Sequence, residues 1–149
     1  MASAPLREQA IRLLARREYA RSELEQRLVA KGGERDAIRA VLDALAAEGY
    51  LSDVRYARAV VAQKSRSHSR RGIVASLKAK GVGLEDIASA VAETELDDDA
   101  ALRALWQRRF GEAPADERAK ARQVRFLQSR GFSLSAILKL LRSQDASGS

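Results

Sequence analysis

Three copies of one short pattern constrain this chain more than any other feature. Leu28-x-x-Lys31-Gly32 recurs as Leu77-x-x-Lys80-Gly81 and again as Leu127-x-x-Arg130-Gly131. The glycines are 49 and 50 residues apart. Six residues after each comes an isoleucine (Ile38, Ile87, Ile137), and ten after each comes another aliphatic residue (Leu42, Val91, Leu141). A period of this size marks a repeat architecture, in which each copy is one block that shares its apolar packing with a neighbour. A basic residue followed by glycine suits a helix end, because glycine accepts the left-handed conformation that closes the last turn.

Each copy reads as three helices. Two prolines in 149 residues and abundant Ala, Leu, Arg, Glu and Lys favour helix throughout. In the first copy, helices are predicted over 6–17, from a Ser22-x-x-Glu25 capping box to Lys31, and over 34–48. Their inward residues are Leu6, Ala10, Ile11, Leu13 and Leu14, then Leu24 and Leu28, then Ile38, Val41, Leu42 and Leu45. The second copy opens at Ser52, a good N-cap, with Asp53 at the positive helix end. Tyr56, Ala57, Val60 and Val61 face inward, and a polar break follows at Ser65-Arg66-Ser67-His68-Ser69. Helices carrying Ile73, Val74 and Leu77, then Ile87 and Val91, complete it. In the third, Asp97-Asp98-Asp99 start a helix with Leu102, Leu105, Trp106 and Phe110. Helices over 117–130 and 134–142 then carry Val124, Phe126 and Leu127, and Ile137, Leu140 and Leu141.

The expected fold class is therefore all-α: three tandem three-helix repeats, 6–49, 50–95 and 96–142, forming an elongated, curved body of roughly 60 Å. Residues 1–5 and 143–149 are expected to be disordered.

Composition narrows the function. Without cysteine there are no disulfides or thiolate metal sites, and a reducing cytoplasmic location is the default. Met1 to Pro5 lack the basic and apolar regions of a signal peptide, and no apolar run approaches a membrane span. A net charge of +7 and a pI near 10.2 point to acidic partners. A membrane surface fits least, since no basic helix carries a Trp/Phe-rich opposite face.

That charge is uneven. From Val54 to Leu84 there is no Asp or Glu, yet there are eight Lys or Arg, with the lone histidine, His68, among them. Ordinary helix surfaces intersperse both signs. The candidate anion-binding face comprises Lys64, Arg66, Arg70, Arg71, Lys78 and Lys80; the alternative is a plain solvated surface. The first and third copies are read as building the same frame with mixed charge. A sequence-reading recognition helix fits poorly, because the helix after the middle turn carries Glu85, Asp86 and Glu93 and no base. Contact with phosphate backbones fits better. The acidic run from Glu93 to Asp99 suits a helix start rather than a metal site, since consecutive aspartates fan outward. His68 has no second histidine or cysteine with which to build a metal cluster or triad. No glycine-rich phosphate loop follows a strand, and Trp106, Phe110, Phe126 and Phe132 fall at core positions rather than on a base-stacking platform. No catalytic, cofactor-binding or metal-binding residues are expected.

Particular residues also carry a family resemblance. Gly49-Tyr50-Leu51-Ser52-Asp53-Val54-Arg55-Tyr56-Ala57-Arg58, Ser69-Arg70-Arg71-Gly72-Ile73 and Leu77-Lys78-Ala79-Lys80-Gly81-Val82 resemble the RecX family of regulatory proteins. Arg21-Ser22-Glu23-Leu24-Glu25 through Leu28, Lys31 and Gly32 is similar to that family's first repeat. The likeness spans residues 6 to 142. Ile73 departs from it, standing where many members have proline. The resemblance implies a cytoplasmic, monomeric, non-enzymatic modulator of the RecA recombinase, built of three-helix repeats and needing no cofactor. Such a protein lies in the groove of the RecA–DNA filament and limits strand exchange, ATP hydrolysis and coprotease activity in DNA repair. The alternative is a RecA-independent protein that binds DNA through its backbone phosphates.

Overall fold

In the computed structural model, which describes residues 3–147, nine helices and no strands occur among the described residues. They are α1 (Ser3–Arg16), α2 (Arg21–Ala30), α3 (Arg35–Ala47), α4 (Asp53–Lys64), α5 (Arg70–Ala79), α6 (Leu84–Ala92), α7 (Asp98–Arg109), α8 (Glu117–Ser129) and α9 (Leu134–Ser147). They follow the predicted three-by-three order.

The repeated turn has one geometry in all three copies. Gly32, Gly81 and Gly131 take φ of +94°, +78° and +93°. The next amide reaches back five residues each time: Gly33 N–H to Leu28 O (3.1 Å), Val82 N–H to Leu77 O (3.1 Å) and Phe132 N–H to Leu127 O (3.3 Å). Such bonds satisfy carbonyls that a helix end leaves without partners. The leucine of each motif is fully buried. The pattern is thus one residue that anchors the second helix and one that lets the chain leave it.

The chain folds as two compact units, whose boundaries cross the middle copy. The first runs to Val60 and includes Ser76–Glu93; the second comprises Val61–Ala75 and the chain from Thr94 onward. In the first, Leu24, Leu28, Ile38, Leu42 and Leu45 are fully buried, with Leu6, Leu13, Tyr19 and Leu51 against them. In the second, Leu102, Leu105, Trp106, Leu127, Phe132, Ile137 and Leu141 form the core. A buried polar pair in it is satisfied: Trp106 Nε1 donates to Gln123 Oε1 at 2.9 Å, and Gln123 Nε2 donates to the Glu112 carbonyl at 3.2 Å.

Helix starts depart from expectation in an informative way. Ser52 does cap α4, its hydroxyl accepting from Arg55 N–H at 3.2 Å. The expected Ser22-x-x-Glu25 capping box, however, does not form. Helix α2 begins at Arg21 after Ala20, which offers no side-chain cap. The first amide of α2 is instead capped from outside its copy, with Arg21 N–H donating to Asp53 Oδ1 at 2.7 Å. The second unit repeats the device: Arg70 N–H, the first amide of α5, donates to Asp98 Oδ1 at 2.8 Å. Asp53 and Asp98 are each the first residue of the next copy's first helix, so each carboxylate ties one copy to its successor. Glu34, Asp97 and Asp116 cap α3, α7 and α8 from within.

The terminal helices also reach further toward both ends than the predicted starts and stops. Helix α1 begins at Ser3, with Pro5 in its first turn, where a missing amide hydrogen removes no helix bond. Helix α9 continues to Ser147, since neither Gly nor Pro interrupts it after Leu134 before that point. Residues 1–2 and 148–149, also expected to be disordered, lie outside the described residues.

Candidate functional site

The basic segment is built around the break between α4 and α5. Lys64 is the last residue of α4, Arg66 is exposed in the break, and Arg70 and Arg71 are exposed in the first turn of α5. These four belong to the second unit. Lys78 and Lys80, both exposed, belong to the first, at the other end of α5 and in the turn that follows.

Not every cation counted in the sequence is available. Arg55 pairs with Glu18 at 2.7 Å and also donates to the carbonyls of Gly49 and Tyr50. Arg58 grips Glu93 with two bonds of 2.7 and 2.9 Å. Lys80 Nζ lies 3.3 Å from Glu23, which also accepts from Arg17. Burial raises the Glu23 pKa, but the hydrogen bonds from Arg17 and Lys80 more than offset this and hold its carboxyl below the ordinary value. Lys80 is therefore part of a partly buried triad with Glu23 and Arg17. Lys64, Arg66, Arg70, Arg71 and Lys78 have no ion pair among the described residues.

The break itself is rigidly anchored in the second unit. Ser69, 2% exposed, donates its amide to the Arg130 carbonyl at 3.0 Å, and its hydroxyl accepts from Gly72 N–H at 3.0 Å. Gly72 packs directly on the end of α8: a Cβ there would sit 2.5 Å from the Arg130 carbonyl oxygen. Arg70 and Arg71 are thus held on a fixed helix start.

His68 is half-buried, with Nδ1 2.9 Å from Ser67 Oγ. Burial, and then the positive charges of Lys64 and Arg130, lower its pKa below 6.5. In the unfolded chain the ring takes up its proton as pH falls through about 6.5, whereas the folded ring does so only at lower pH. The unfolded state binds more protons in that window, so stability falls with pH there. The urea midpoint should therefore decline as pH drops from 7.5 through 6.5, and His68→Gln should reduce that decline. An equal decline in both proteins would remove His68 as the cause.

The third copy carries both signs, as expected, but unevenly: Arg118 to Gln144 contain seven Lys or Arg and no Asp or Glu. Between the units, the second holds fourteen Lys or Arg against eight Asp or Glu, a net +6; the first holds thirteen against twelve, a net +1. Every ion pair among the described residues lies in the first unit. Of the aromatics expected in the core, Trp106 and Phe132 are buried, whereas Phe110 and Phe126 are only partly buried, stack edge-on against each other, and Phe126 lies under Arg109 and Arg130. Among the described residues no His/Asp/Glu cluster is arranged to hold a metal, and no helix is long and apolar enough to cross a membrane.

Fold and site define a class: helical tandem-repeat proteins with an exposed basic segment. Family models for the first, second and third three-helix domains of RecX match residues 7–45, 52–91 and 97–141. "Regulatory protein RecX" of Leptothrix cholodnii is 41% identical over 143 residues, covering 94% of this chain and 89% of that protein. Its counterpart in Pseudomonas entomophila is 39% identical over 142 residues, covering 94% and 92%. The crystal structure of RecX from Lactobacillus salivarius superposes with a TM-score of 0.67 at 18% identity, covering 97% of each chain. The chain belongs to the RecX family.

Proposed function

We propose that this protein modulates, and mainly inhibits, the RecA recombinase by binding in the groove of the RecA–DNA filament. The reading rests on membership of a family whose relatives are named regulatory proteins. The observation that carries it to particular residues is the set of cations around the α4–α5 break, exposed at Arg66, Arg70 and Arg71 and half-buried at Lys64, that lack carboxylate partners among the described residues. Lys64, Arg66, Arg70 and Arg71 are the principal contacts in this proposal, with Lys78 at the other end of α5. Lys80 contributes less, because an anionic partner would compete with Glu23 for it. The protein acts as a monomer, in the cytoplasm, without chemistry of its own.

The test is ATP hydrolysis by RecA on single-stranded DNA. The parent protein should suppress it at stoichiometric amounts, and Arg70→Glu/Arg71→Glu should need about ten times more protein for the same effect, the equivalent of about 1.4 kcal/mol of binding. Glutamates are well placed in a helix first turn, so α5 should persist and the helical circular dichroism should not change. Absence of inhibition by the parent sinks the RecA reading; equal inhibition by the variant makes the break a solvated surface. The +6 of the second unit favours one rival, direct binding to DNA phosphates without RecA. Gel shifts at two salt concentrations separate them, since phosphate binding weakens steeply with salt.

A further inference from the structure

We infer that the exposed face of α8 is a second binding surface, specific for the sugar-phosphate backbone of nucleic acid. Arg118, Arg122 and Arg125 are all exposed. At 100° per residue they fall within an arc of about 60°, and Leu127, which is fully buried, lies about 180° from Arg118. The helix therefore seats itself through Gln123 and Leu127 and presents an arginine stripe to solvent.

Nothing local neutralises that stripe. None of the three arginines has an ion pair among the described residues. Three of this unit's carboxylates are engaged elsewhere: Asp97 accepts from Ala100 N–H, Asp98 from Arg70 N–H and Asp116 from Ala119 N–H. Ordinary helix surfaces place opposite charges three or four residues apart, and α8 has no acid after Glu117.

The chemistry selects the partner. Protein interfaces are anchored by apolar or aromatic side chains at their centre, and the exposed large hydrophobic residues, Tyr50, Leu84 and Leu134, are not on α8. A purely cationic stripe instead suits a regular polyanion. From Arg118 to Arg125 is about 10 Å along the axis, the rise of about three phosphates on one strand of duplex. The end of α8 carries the Arg130 carbonyl that holds Ser69, so the stripe leads to the start of α5 with Arg70 and Arg71. The inference rests on the reading that the protein works on a nucleic-acid-bearing filament, and it assigns α8 to the nucleic acid rather than to RecA.

The experiment measures binding to a labelled single strand and to a duplex by fluorescence anisotropy across a salt series, with no RecA present. In Arg118→Gln/Arg122→Gln/Arg125→Gln the slope of log K against log salt should shrink by about 2 to 3, at about 0.7 per contact for single strands and 0.9 for duplex. Affinity should fall about equally on unrelated sequences, and the arm with the larger change identifies the form of nucleic acid. The corresponding triple lysine variant should keep the parent slope, because lysine retains the charge. If the triple glutamine variant does not fold, Arg122→Gln alone should lower the slope by about one. Parent-like slopes on both nucleic acids overturn the proposal, as does parent-like DNA binding with lost RecA inhibition, which would assign the stripe to a protein. The RecA ATPase assay with the Arg70/Arg71 variant reads the function separately, so either idea can fail alone.

Discussion

Replacing Gly72 with alanine should destabilise the protein by about 2–3 kcal/mol, where the same change in an ordinary helix would stabilise it by about 1 kcal/mol. The reason is a backbone contact. Gly72 lies in the first turn of α5, and an added Cβ would sit 2.5 Å from the Arg130 oxygen, 3.1 Å from the Arg130 carbonyl carbon and 3.4 Å from the Gly131 Cα. No flexible side chain can yield there. The α5–α8 junction must open, stretching the Ser69 N–H to Arg130 carbonyl bond of 3.0 Å. Helix propensity is a few tenths to one kcal/mol, whereas a backbone overlap of this size has no low-energy escape. Gly83→Ala is the internal control, because nothing lies within 4 Å of a Cβ there and φ is −68°. Thermal melts should place Gly72→Ala at least about 5 °C below the parent. A melting temperature at or above the parent's would mean that the junction is looser than its packing indicates.

Leu127→Ala should cost about 2–5 kcal/mol, the range for emptying a fully buried leucine site. Leu127 is 0% exposed and sits in the core of the second unit with Leu102, Leu105, Trp106 and Ile137. Its carbonyl also accepts from Phe132 N–H, so the residue joins the packing of α8 to the turn that ends it. Two residues away, Arg125 is exposed on the opposite side of the helix. Arg125→Ala should change stability by no more than about 0.5 kcal/mol. Urea unfolding of both variants checks the contrast. Similar losses in the two would contradict the orientation of α8, and with it the arginine stripe.

The legibility of this protein varied with the kind of interaction. Helix existence and inward residues were plain, because a 3.6-residue period of Leu, Ile and Val is a local signal: Ile38, Leu42 and Leu45 were expected inside and are fully buried. Helix starts were less plain. Ser22 resembles an N-cap, yet the amide at the start of α2 is satisfied by Asp53, 32 residues away. A carboxylate that caps another helix looks, in sequence, the same as one that complements its own helix dipole. The basic site was half legible. A count of charges shows the run of cations, but no count shows that Arg55, Arg58 and Lys80 are held by Glu18, Glu93 and Glu23.

What the sequence by itself determined is the repeat: three leucine–glycine motifs, three helices to each copy, and a cluster of cations in the middle. These follow from periodicity and from glycine's tolerance of positive φ, which are properties of short stretches. Only the tertiary structure decided which cations are spoken for and how the copies are joined. It set the carboxylates of Asp53 and Asp98 on the helices of preceding copies, and laid Gly72 against the end of α8. It also left the second unit with almost all of the net charge and no ion pair among its described residues. Coulomb attraction and steric contact act over a few ångströms in space, and the residues concerned are about 30 to 60 apart in the chain, beyond the reach of any local pattern.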